Sequence, residues 1–140
     1  MKAPILITIV AMLTLVNYSP CYSQKSAIHS RDLSWQSSEL TDKSNSKKLN
    51  QPHRLDTHNK NYIELHRGSE QTLRFNINAV KGEWMDEGSD GTLVYDVTSE
   101  NGVPGVITMS RSSGITRAHI DFTQTNKNAL HIELIVSGVH

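Results

Sequence analysis

Cysteine is almost missing from this chain: the one residue of that type is Cys21, near the front. Everything downstream of it therefore lacks a disulfide, a thiol nucleophile and a cysteine-based zinc site. A small exported domain without such staples must live off its apolar core. Charge of one sign is missing too, since 14 Lys and Arg balance 14 Asp and Glu. That balance speaks against nucleic acid as a partner, because its binders carry a basic excess. Aromatic residues are only 6% of the chain, sparse for a dedicated polysaccharide-binding face. There is no Walker loop, no dinucleotide fingerprint, no H-E-x-x-H helix and no G-x-S-x-G elbow around Ser112-Ser113-Gly114. No nucleotide or other cofactor is expected.

What is present begins with the front. Met1 and Lys2 give a short positive start, Ile5 to Val16 an apolar stretch, and Pro20 a break. Cys21 and Ser23 place small residues before Gln24, the layout of a secretory signal peptide over residues 1–23. The apolar stretch is short of the ~20 residues that a spanning helix wants. The expectation is a secreted or periplasmic protein without a stable membrane anchor after cleavage. Lipid attachment at Cys21 is disfavoured by Tyr18-Ser19-Pro20 before it.

Residues 24–60 are rich in Ser, Lys, Asn and Gln and poor in aliphatics, a composition that predicts a disordered or weakly structured tether. This stretch carries seven Lys/Arg against four Asp/Glu, whereas residues 61–140 carry six against ten. The stretch 32–40, which carries Leu33, Trp35 and Leu40, is the exception in the tether. It reads as transient local structure or as a linear motif docking through Trp35.

From Asn61 onward the apolar residues alternate with period two, the signature of strands. Turn signals separate the strands at Arg67-Gly68-Ser69, Asn101-Gly102, Pro104-Gly105, Ser113-Gly114 and Asn126-Lys127-Asn128. Hairpin register can be tested for self-consistency, since a slip of one residue sends apolar groups to opposite faces. Phe122 opposite Leu130, Ile120 opposite Ile132 and Ala118 opposite Leu134 keep one face apolar. So do Leu65 with Leu73 and Ile63 with Phe75, with Glu64 meeting Arg74 on the other face. In the middle hairpin Val97 is expected opposite Ile107 and Tyr95 opposite Met109. The fold predicted for 61–140 is all-β: an antiparallel meander of about six strands forming a small β-sandwich or a partly open barrel.

Three groups of residues invite a functional reading. The last hairpin sets Asp121 opposite His131 and His119 opposite Glu133, a set that suits zinc or an acid/base pair. Ordinary cross-strand polar pairing on a solvated sheet face is the simpler and preferred reading. Asp86, Glu87 and Asp90, set among glycines, suggest a calcium loop. The EF-hand pattern fails there, because Gly88 and Val97 stand where ligands belong. Only an irregular calcium site, or an acidic connector, remains. Trp84 either plugs the core or offers a platform to a ligand.

Together these features predict a non-enzymatic binding module for a protein or cell-surface ligand. Two alternatives share the same architecture. One is a structural subunit or adhesin, or an inhibitor of a secreted hydrolase presenting a loop such as 101–105. The other is a metal-dependent enzyme using the His119, Asp121, His131 and Glu133 face.

Overall fold

The computed structural model describes residues 27–69, 71–122 and 129–140. The expected signal peptide, Cys21 and the 126–128 turn lie outside the described residues. A 3-10 turn at Ile28–Ser30 is followed by β1 (Asp32–Ser37), β2 (Glu39–Asp42), β3 (Lys47–Leu49), β4 (His53–His58), β5 (Tyr62–Arg67) and β6 (Gln71–Glu83). Then come β7 (Gly91–Ser99), β8 (Pro104–Ser112), β9 (Ile115–Phe122), β10 (Leu130–Ile135) and β11 (Gly138–Val139). All eleven strands join one curled antiparallel sheet, and no α-helix occurs among the described residues.

The six strands expected after residue 60 are present as β5 to β10, with the short β11 added; the tether is what the structure corrects. β1 to β4 fall in the stretch expected to be disordered. Leu33, Trp35, Leu40 and Leu55 are buried there, alternating with exposed or half-buried polar residues. The alternation is hard to hear in the sequence because several inward positions are polar. Ser37, His53 and Thr57 take places that aliphatic residues would normally mark, yet all three are buried.

The strand pairing explains how the sheet curls. β1 and β2 are one run of chain bent at Ser38, and β10 and β11 are another bent at 136–137. Trp35 pairs with Val139 in one half and Leu40 with Leu134 in the other, both in one continuous register. β1 also pairs with β4, whose neighbours lead in chain order through β5, β6, β7, β8 and β9 to β10. The ladder therefore returns to the run of chain from which it started. Paired main-chain bonds between Ser34 and His140, at 2.9 and 3.0 Å, extend this seam. A sheet of this circumference has an interior that side chains can fill.

They do fill it. Leu55, Ile63, Leu65, Leu93, Tyr95, Ile107, Met109, Ala118 and Ile120 are each at most 1% exposed. Ile28 and Trp84 close one end: the Ile28 N–H donates to the Trp84 carbonyl at 2.9 Å, and Trp84 packs on Trp35 with ring centroids 5.4 Å apart.

The registers expected for the first and last hairpins are those observed. The middle one is shifted by two residues, so that Tyr95 faces Ile107 and Val97 faces Gly105. A shift of two keeps every side chain on its own face, so the core assignment survives while the partners change. Gly105 then lies against Phe122 on β9. A Cβ there would sit 2.4 Å from two atoms of the Phe122 ring. Only glycine leaves room for that ring, which stacks on Phe75 at 5.1 Å. The β8–β9 turn also follows from its residues: Ser113 and Gly114 have φ of 51° and 80°, the paired positive values of a tight two-residue hairpin turn.

Candidate functional site

With the interior packed, chemistry is left to the outer face and to the bends. A groove of about 700 Å³ opens beside the bends at Ser38 and 136–137. Its walls include Ser37, Ser38, Gln51, His53, Arg54 and His66. Ser37 clasps the bend: its Oγ lies 2.7 Å from both the Glu39 and Ile135 carbonyls and accepts the Glu39 N–H at 3.2 Å. His53 is 3% exposed, and neither ring nitrogen has a hydrogen-bond partner in good geometry. Burial is the main cause that holds its proton affinity below the ordinary imidazole value, with Arg67 adding to the effect. The Gln51 backbone favours the charged form, but it lies outside hydrogen-bonding geometry, so burial prevails.

Beside the groove, β4 and β5 turn alternate residues outward. The register sets Asp56 opposite Glu64 and Arg54 opposite His66. One ligand atom each from Asp56, Glu64 and His66 falls within 4.8 Å of the others, and all three residues are half-buried. Ser34 Oγ donates to Asp56 Oδ1 at 2.7 Å, and Arg54 Nε reaches Asp56 Oδ2 at 2.9 Å. Arg74 Nε donates to Glu64 Oε1 at 3.2 Å and covers the Tyr62 ring at 3.9 Å. Sequence reasoning found the Glu64–Arg74 pair but missed the rest. Asp56 lay in the supposed tether, so its strand partner was invisible. The signal available was the alternation of Arg54, Asp56 and His58 with buried residues.

The His119, Asp121, His131 and Glu133 set stands where the register put it. His131 Nδ1 is 2.8 Å from Asp121 Oδ1, and His119 Nε2 is 3.4 Å from Glu133 Oε2. Lys43 pairs with Glu133 at 3.0 Å. These are two separate pairs; among the described residues, the metal-type grouping of three or more is the one at Asp56.

Asp86, Glu87 and Asp90 belong to a turn that wraps Trp84. Asp86 Oδ1 accepts the Gly88 N–H at 2.7 Å, and Glu87 pairs with Arg31 at 2.8 Å. Trp84 itself is 1% exposed and donates its indole N–H to the Ser89 carbonyl at 2.9 Å. It offers no platform: of its two expected roles the structure leaves the core plug. Trp35, expected in transient local structure or as a docking motif, is equally buried and donates to Thr57 Oγ1 at 3.2 Å.

No known family model, curated protein or solved structure gives a significant match to this chain.

Proposed function

We propose that this is an exported, non-enzymatic binding module that holds a protein or cell-surface ligand in the polar groove at the bends. One observation carries the reading. Buried apolar side chains fill the described interior, whereas hydroxyl, amide, imidazole and guanidinium groups line a concavity of about 700 Å³ at the bends. A few convergent polar groups in a concave site are what a ligand needs for orientation. The groups lining this one suit a polar segment that offers both donors and acceptors. Outward strand positions such as Arg54, Asp56, Glu64, His119 and Asp121 bear charge or imidazole, where a lipid-facing barrel would bear an apolar band. The surface-assembly alternative needs a long open sheet edge, whereas the outermost strands here are the three-residue β3 and the two-residue β11.

The test uses the protein and a Ser69→Trp variant that fills the mouth of the groove. Each is immobilised and exposed to envelope extract and to culture fluid from the native host. A partner retained by the first and lost by the second supports the reading. Equal retention, or none by either, overturns it. Cell fractionation with N-terminal sequencing tests export, with Gln24 as the expected first residue.

A further inference from the structure

We infer that the outer face of β4 and β5 binds one divalent transition-metal ion of zinc's class, through His66, Asp56 and Glu64. The site is independent of the groove ligand, although Arg54 and His66 border both.

The argument starts from His66. Its Nδ1 lies 2.9 Å from Thr72 Oγ1, a contact that fixes the ring on its strand. Its Nε2 is buried and lies 2.9 Å from Asp56 Oδ2 and 3.8 Å from Glu64 Oε2. Yet Nε2 has no partner in hydrogen-bonding geometry. The nitrogen and the two carboxylate oxygens thus converge on a common region instead of pairing in line. Ligand bonds of ~2.0–2.2 Å in tetrahedral array put ligand atoms about 3.4 Å apart, within the spread seen here. Hydrogen bonds from outside hold the ligands in place, as around built metal sites: Thr72 on His66, Ser34 on Asp56 and Arg74 on Glu64.

The donor set selects the ion. One imidazole and two carboxylates, with no thiolate, suit zinc or manganese better than copper(I), and the imidazole disfavours calcium. Three protein ligands leave a position open to water. Arg54 is the competitor, since its Nε reaches Asp56 Oδ2 at 2.9 Å. Its side chain is half exposed, so an entering ion would displace it into solvent. The β9–β10 face supplies an internal contrast. It has the same residue types, but His131 there is hydrogen-bonded to Asp121.

The test is titration of the tag-free full-length protein with zinc chloride and with manganese chloride. Calorimetry reads the stoichiometry, and NMR of the histidine rings reads the location. One equivalent of zinc is expected, with the His66 ring resonances shifting and those of His131 left in place. His66→Ala and Glu64→Gln should each weaken binding by about tenfold or more. Arg54→Met should tighten it, and His131→Ala should leave it unchanged. Circular dichroism checks that each variant is folded, and Arg54→Met, which removes no ligand, reads the site without threatening it. Absence of binding in zinc excess, or equal loss in His66→Ala and His131→Ala, overturns the proposal, as does weaker binding in Arg54→Met.

Discussion

Replacing Trp35 by alanine asks whether the front of the chain belongs to the core. The side chain is 1% exposed and its ring lies 5.4 Å from that of Trp84, tilted by 31°. Truncating a buried tryptophan costs about 3–5 kcal/mol through lost transfer energy and the cavity left behind. The polar accounts change little. Thr57 Oγ1 loses the indole donor but keeps its own bond to the Leu33 carbonyl at 3.3 Å. Domains of this kind are stable by only ~5–15 kcal/mol, so the loss is a large fraction of the whole. With an m-value of ~1–3 kcal/mol/M in urea, the unfolding midpoint should fall by about 2 M. Trp35→Phe keeps most of the packing and should cost about 1–2 kcal/mol. Equilibrium urea unfolding, followed by circular dichroism and by Trp84 fluorescence, measures both. A Trp35→Ala variant within ~0.5 kcal/mol of the parent would behave as a surface substitution and refute the seam as described.

Three further outcomes follow from the packing. Gly105→Ala brings a Cβ to 2.4 Å from the Phe122 ring and should destabilise by about 1–3 kcal/mol, with Phe122→Leu in the same chain recovering part of the loss in thermal melts. Tyr95 buries its hydroxyl without a partner, and burial pushes its ionisation far up; Tyr95→Phe should therefore raise stability, by about 1 kcal/mol in urea titrations. Burial holds His53 below its ordinary value of 6.5, so the unfolded chain takes up that proton first as pH falls. The His53 share of stability is whole above about pH 6.5 and is lost below it, at no more than ~1.4 kcal/mol per pH unit, and His53→Gln should flatten that slope in melts between pH 5 and 8.

Much of the back half was legible because its inward positions are nearly all apolar. Ile63, Leu65, Phe75, Ile120, Ile132 and Leu134 announce both their strands and their face, and two hairpin registers follow from that alone. The middle register was misread because apolar alternation fixes a face and leaves a shift of two residues undecided. The 99–103 turn decides it: the Ser99 N–H donates to the Val103 carbonyl at 2.9 Å, and the ladder starts at Thr98 with Pro104. The front half was illegible for a related reason. Ser37, His53 and Thr57 point inward, and only neighbours distant in the chain show why polar groups are tolerated there. Ser37 reaches the Ile135 carbonyl, and Thr57 meets Trp35 and Leu33.

By itself, then, the sequence determined that residues 61–140 are antiparallel β, which side of each of those strands is buried, and that thiol chemistry is absent beyond Cys21. These are local properties, set by side-chain alternation, turn residues and composition. Tertiary structure decided that residues 32–58 complete the sheet, that the sheet curls back onto the β1–β2 run, and that Asp56, Glu64 and His66 stand together. Each of these depends on which strand lies beside which, and such pairing is fixed by packing between residues far apart in the chain.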